Sequence, residues 1–215
     1  MKLIAFRNFI KEIPCQNLGF DIKAKNWKVK SQQINIDRIF NGVETITLNR
    51  SHLQDASQNT VDYILKTLMW GYPTKGRGKN IEKLLLKESF NKLSIILNGY
   101  RNQQISFDRF KSDIGSISGL GLSTMSKFTT FLNTRINGKK AVILDLQIIK
   151  SINRGTFEEF NSLKDITYIN ALKRYEEYIS IIQELSIITK ASPEQIENFL
   201  FTFGRSISDV NKLTI

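Results

Sequence analysis

The sequence predicts a mostly α-helical protein with a less regular N-terminal segment that contains short strands. Three observations predict it. Apolar residues recur at helical spacing through most of the chain beyond Val61. Helix-start and helix-stop residues bracket those stretches. Only three prolines occur in 215 residues, so few helix interiors are interrupted. A chain of this length can bury a substantial core. The expected organisation is one domain over residues 1–215, built as two helical lobes with a cleft between them.

Residues 1–50 carry the weakest helical signal. Asn26–Ile36 (NWKVKSQQINI) and Gly42–Leu48 (GVETITL) alternate in the manner of short strands. Then Val61, Ile64, Leu65, Leu68 and Met69 share one helical face, and that helix must end by Gly71 or Pro73. A loop, WGYPTKGRGKN (Trp70–Asn80), follows. Helical segments are expected at Ile81–Lys87 and Ser89–Leu97, closed by Asn98-Gly99. Ser106 is placed to cap a helix through Ile114, with Phe107, Phe110 and Ile114 on its buried face. A short glycine hairpin then leads into a helix over Leu122–Asn133. Tyr168–Ile188 is the longest helical pattern, with Ile169, Leu172, Tyr175, Ile179, Ile182 and Leu185 as its stripe. Ser192-Pro193-Glu194-Gln195 combines a serine cap, a proline at the first helical position and a glutamine three residues after the cap. That helix is expected to run through Phe203 and stop at Gly204.

Composition narrows the function. Forty-one per cent of residues are hydrophobic and mean hydropathy is −0.22, an ordinary globular composition. No apolar run approaches the roughly 20 residues of a membrane helix. The first residues lack a secretory pattern, so a cytoplasmic location is expected. One cysteine, Cys15, and one histidine, His52, leave no intrachain disulfide and no Cys/His site for zinc or an iron–sulfur cluster. Neither a metal nor a cofactor is expected. A Ser-His-Asp triad would have to use His52, which has no partner motif and reads, like Cys15, as structural. The formal net charge is +11, unevenly spread: residues 1–150 hold 24 Lys+Arg against 11 Asp+Glu, residues 151–215 hold 7 against 9. A basic surface on this scale favours a polyanion, most often nucleic acid. The plainer reading is solubility alone, and an Asn/Ile/Lys-rich composition of the kind an AT-rich genome produces would account for part of the charge without any partner.

The chemistry-bearing residues cluster between Gly115 and Ile149. In Ile117-Ser118-Gly119-Leu120-Gly121-Leu122-Ser123, Gly119 and Gly121 permit a tight turn whose amides can approach an anion. The amides from Gly121 to Ser123 would open the next helix, where the dipole favours a phosphate. Such a contact holds a DNA backbone without reading sequence. The plainer reading is a helix connection with glycine for geometry. In the following helix Met125, Phe128 and Leu132 share one side, and Ser123, Ser126, Lys127 and Thr130 the other. Lys127 thus belongs to a face of small hydroxyl residues that leaves room around its amine, although most lysines are simply solvated. After the basic turn carrying Lys139 and Lys140, Asp145 sits inside the apolar run Ala141–Ile149. A carboxylate there needs a reason. It can cap the helix that follows, and a rigid capping carboxylate can also stabilise a cationic transition state. In the Trp70–Gly78 loop, Trp70 and Tyr72 can stack on a base or wedge into the gap it leaves, while Lys75 and Arg77 can hold phosphates. Trp70 can equally end its helix in the core.

A glycine hairpin, a helix bearing a lysine, and an apolar segment with one aspartate together resemble the helix–hairpin–helix DNA glycosylase superfamily. In detail GLGLSTMSKFTTFL, AVILDLQII, WGYPTKGRG and SPEQIENFLFTFG are similar to bacterial 8-oxoguanine glycosylase-like proteins. The resemblance covers most of residues 60–204. It implies a helix–hairpin–helix glycosylase-like fold and a monomeric enzyme that acts on double-stranded DNA and not at a membrane. In the superfamily the catalytic aspartate matches Asp145. The lysine of its bifunctional members falls where this chain has Ser123, and Lys127 lies one turn later on the same face. The phenylalanines of Phe199-Leu200-Phe201-Thr202-Phe203 read first as core residues; the resemblance also implies a late helix lining the base pocket, for which Phe199 is the candidate.

The implied mechanism flips the target nucleotide from the stack. Asp145 stabilises positive charge on the deoxyribose while Lys127 attacks the anomeric carbon and expels the base. The Schiff base can then undergo β-elimination. Three alternatives stay open: a monofunctional enzyme whose lysine binds phosphate, a non-catalytic helix–hairpin–helix DNA binder, and a modified-nucleobase glycosylase of an antiphage defence operon. A pure binder would need neither the aspartate in an apolar run nor a lysine on a cleared face.

Overall fold

The computed structural model describes residues 1–55, 57–76 and 79–207. In chain order the helices are α1 (Arg7–Lys11), α2 (Gln33–Phe40), α3 (Arg50–Gln54), α4 (Thr60–Gly71), α5 (Asn80–Leu85), α6 (Lys87–Asn98), α7 (Phe107–Gly115), α8 (Leu122–Phe131), α9 (Leu146–Asn153), α10 (Ala171–Thr189) and α11 (Pro193–Thr202). The strands are short: β1 (Gly19–Lys23), β2 (Thr45–Asn49), β3 (Gln104–Ile105), β4 (Arg135–Ile136) and β5 (Lys139–Lys140). The protein is therefore mostly α. Among the described residues no helix is long and apolar enough to cross a membrane. The chain divides into two compact units, one of Gln16–Asn137 and one of Met1–Cys15 with Gly138–Ile215.

The Gln16–Asn137 unit begins with an antiparallel ribbon, β1 on β2, registered from Gly19 opposite Asn49 to Lys23 opposite Thr45. The expected Gly42–Leu48 strand is present in shifted form as β2, and β1 is its unforeseen partner. Asn26–Ile36 is not a strand. A 3-10 turn at Ala24–Trp27 buries Trp27, and α2 buries Ile36 and Phe40 at a four-residue spacing. That spacing outweighs the local alternation. Asn49 caps α3 by accepting the His52 N–H, and the His52 ring accepts from the Asn49 N–H in return. The single histidine thus closes a capping box.

Helix α4 is the spine of this unit. Ile64, Leu65, Leu68 and Met69 are fully buried, as their spacing predicts, and the helix ends at Gly71. Tyr63 joins it to α8: its buried hydroxyl donates to the Phe128 carbonyl at 2.6 Å. Burial pushes the Tyr63 phenol well above its ordinary pKa, so it stays protonated as a donor. Ser106 caps α7 by accepting the Arg109 N–H, and Phe107, Phe110 and Ile114 are buried as expected. β3 and β4 pair in parallel, with Ile105 opposite Ile136.

The other unit packs α9, α10 and α11 with α1. Ser192 and Gln195 close the expected capping box at the start of α11. Gly204 has a different role from the one its position suggests. A Cβ there would lie 2.6 Å from the Leu200 carbonyl oxygen and 2.8 Å from the Ser151 side chain. The residue is small so that the chain can pass close to α9, where Ser151 Oγ donates to Leu200 O at 2.8 Å. Helix α10 starts at Ala171, later than the pattern suggests, and Ile169 is 92% exposed. Thr167 and Asn170 exchange side-chain and backbone hydrogen bonds, which hold the chain in a turn just before the helix.

Candidate active site

The glycine hairpin forms as a tight turn. The Leu120 N–H donates to the Ile117 carbonyl at 3.2 Å, and Gly119 adopts a left-handed φ of 84°. A Cβ at Gly119 would also lie 2.6 Å from the Asn80 carbonyl oxygen. The glycine is therefore needed twice, for conformation and for close approach to the start of α5. Ile117 and Leu120 are buried and anchor the turn. Gly121 occupies the N-cap of α8, and no side chain caps that end. Backbone amides at an uncapped helix start suit an anion.

Helix α8 departs from the expectation of one apolar and one open polar face. Every residue from Thr124 to Phe131 is buried, including Ser126, Lys127 and Thr130. The hydroxyls turn inward onto the helix: Ser126 donates to Ser123 O, and Thr130 to Ser126 O. Lys127 is only 4% exposed. It is not the solvated surface lysine that its residue type makes the default. Its Nζ donates to Ser123 O at 3.1 Å and Ser123 Oγ at 3.0 Å. The ammonium also lies 5.6 Å from the centre of the Tyr72 ring. The Tyr72 hydroxyl is 2.8 Å from Thr124 Oγ1. Lys127, Ser123 and Tyr72, singled out separately in the sequence, thus meet in one cluster, joined by Gly71 and Thr124.

Asp145 stands at the N-cap of α9. Its Oδ1 accepts the N–H groups of Gln147 at 2.9 Å and Ile148 at 3.2 Å. The residues before it, Ala141 to Leu144, are buried and belong to no helix or strand. Two buried tyrosines of α10 fix that segment: Tyr175 donates to the Val142 carbonyl at 2.7 Å and Tyr178 to the Ile143 carbonyl at 3.0 Å. The carboxylate is therefore held from both sides, by its own cap and by the segment that delivers it. Sequence reading put Tyr175 on an apolar stripe and passed over Tyr178. The signal was that both hydroxyls on a buried face need acceptors.

The family model described as "Putative 8-oxoguanine DNA glycosylase OGG-like protein" matches residues 14–201. The chain belongs to this family. It is accordingly an enzyme of the DNA glycosylase class, and DNA is its partner. No curated protein matches the chain, and no solved structure does.

The remaining sequence-selected residues of this OGG-like protein are placed as follows. Two are core residues and not surface aromatics. Trp70 is 4% exposed, packs edge-on against Phe20 and Phe131, and donates its indole N–H to Leu18 O. Phe199 is fully buried among Phe6, Phe157 and Phe203. Both rings are taken up in packing inside the protein, and the Arg50 guanidinium lies over the Trp70 ring, 5.6 Å from its centre. Two lysines are in ion pairs. Lys75 lies 3.1 Å from Glu82, whose carboxyl is held below its ordinary pKa by a backbone hydrogen bond and by Lys75. Lys140 lies 2.5 Å from the buried Glu194. Lys139 is half-buried. Arg77 lies outside the described residues.

Proposed function

We propose that this OGG-like protein excises an oxidised purine, 8-oxoguanine first among them, from double-stranded DNA and then cleaves the strand. The observation that carries this reading is the burial of Lys127 in a polar slot of α8, one turn beyond an uncapped glycine hairpin. A lysine is rarely buried without a task. The hairpin amides and the cationic loop grip phosphates, and the target nucleotide is extruded. Asp145 stabilises the positive charge that develops on the deoxyribose as the glycosidic bond weakens. The amine of Lys127 attacks C1′, the base leaves with the bonding electrons and takes up a proton, and ring opening yields the Schiff base. Loss of a C2′ proton then expels the 3′ phosphate and nicks the strand.

The test is incubation with an 8-oxoguanine duplex and borohydride, beside a panel of duplexes carrying other modified bases. A covalent adduct is expected with the wild type, none with Lys127→Ala, and base release lost in Asp145→Asn. An adduct that persists in Lys127→Ala overturns the nucleophile assignment. Wild-type release by Asp145→Asn overturns the role of the carboxylate. Release without any adduct identifies a monofunctional glycosylase.

A further inference from the structure

The junction between α4 and the loop after it packs against Lys127. A Cβ built on Gly71 would lie 2.8 Å from Lys127 Cδ and 3.1 Å from Cε. The lysine stem therefore runs through the space that the missing side chain leaves. The next residue, Tyr72, puts its ring 5.6 Å from the ammonium, within range of a cation–π attraction. That ring is itself held. Its hydroxyl pairs with Thr124 Oγ1 at 2.8 Å, and a Cβ on Gly76 would touch it at 3.5 Å as the loop folds back. A turn bond from the Lys75 N–H to Tyr72 O at 2.7 Å closes the loop.

We propose that Gly71 and Tyr72 are positioning residues that aim the Lys127 amine, an inference that rests on the reading of Lys127 as nucleophile. A lysine has four rotatable side-chain bonds and reaches many places. Attack on C1′ needs one of them, and a misplacement of about 1 Å can cost on the order of 10²-fold in rate. Gly71 clears the path of the stem, the Tyr72 ring fixes its end, and Thr124 fixes the ring. The contact at Gly71 is with the outer methylenes of a flexible chain. An added methyl is relieved by moving the lysine, not by unfolding the protein, so substitution there tests aim and leaves stability largely intact.

Two readouts on the full chain test the proposal. In the free protein, the ε-methylene protons of Lys127 are expected upfield of the other lysines through the Tyr72 ring current. Tyr72→Leu abolishes that shift and Tyr72→Phe preserves it. With 8-oxoguanine duplex and borohydride under single turnover, Gly71→Ala is expected to slow adduct formation about 10²-fold with unchanged DNA affinity, and Tyr72→Phe to retain more activity than Tyr72→Leu. An ordinary ε-methylene position in the wild type overturns the proposal, as does an unaltered adduct rate in Gly71→Ala. Absence of any wild-type adduct refutes the nucleophile reading alone, and the methylene shift still decides whether the junction positions the amine.

Discussion

Asp145 caps α9, and the proposed function gives the same side chain a second duty in excision; substitution separates the two. Its Oδ1 caps α9 through two amides. Asparagine caps almost as well as aspartate, whereas alanine removes the bond at a cost of about 1 kcal/mol. Asp145→Asn is therefore expected to melt at the wild-type temperature while losing about 10²–10³-fold in excision rate. Asp145→Ala should lose both. Thermal denaturation beside single-turnover excision checks the split, and equal destabilisation in the two variants would contradict it. Tyr175 permits a similar separation. Its hydroxyl donates to Val142 O in a fully buried setting, so phenylalanine leaves that acceptor unsatisfied at about 1–3 kcal/mol. The expected result is a lower unfolding midpoint together with slower excision, because the segment that delivers Asp145 loosens. Loss of stability with an unchanged rate would show that the tyrosine serves the fold alone.

Among the elements, the hairpin and α8 act as one piece. Gly119 is committed by a φ of 84° and by its approach to Asn80. Gly119→Ala meets backbone rather than a movable side chain, and about 1–3 kcal/mol of destabilisation is expected. Urea denaturation measures this, and an unchanged midpoint would show that the turn is free to relax. The contrast with Gly71 is instructive, since both glycines give room but to different neighbours. At Gly119 the neighbour is a carbonyl that cannot retreat. At Gly71 it is the end of a lysine that can.

Across the whole molecule, the positive charge is concentrated in one unit. Gln16–Asn137 holds 18 Lys+Arg against 9 Asp+Glu, while the other unit holds 13 against 11. DNA affinity that depends on phosphate contacts falls with salt by about 0.9 logarithmic units per logarithmic unit for each neutralised phosphate. Replacing the exposed Lys23, Lys25, Lys28 and Lys30 by glutamine is expected to flatten that slope. Replacing the exposed Lys164 and Lys173 is not. Affinities measured across a salt series decide the matter, and equal slopes in the two variants would remove the asymmetry from the account of binding.

What the sequence determined by itself is local. Helix α4 and its end at Gly71, the Ser106 cap, the Ser192–Gln195 box and the capping position of Asp145 all depend on residues within four places of one another, and spacing reports them directly. The sequence also carried the family, through the hairpin, Lys127 and Asp145 in order. The tertiary structure decided whatever joins distant residues. β1 pairs with a strand more than twenty positions on, so Asn26–Ile36 could pass for a strand while β1 went unnoticed. For Trp70 and Phe199 the sequence offered both a core and a base-contact reading, and only their ring neighbours show that both are buried. Lys127 looked open because periodicity sorts residues by face but cannot say that both faces of α8 are covered. Gly71 and Tyr72 lie more than fifty residues before the lysine they contact. Backbone conformation is set by neighbours in sequence, while burial and side-chain placement are set by neighbours in space, and the setting of Lys127 depends on the second kind.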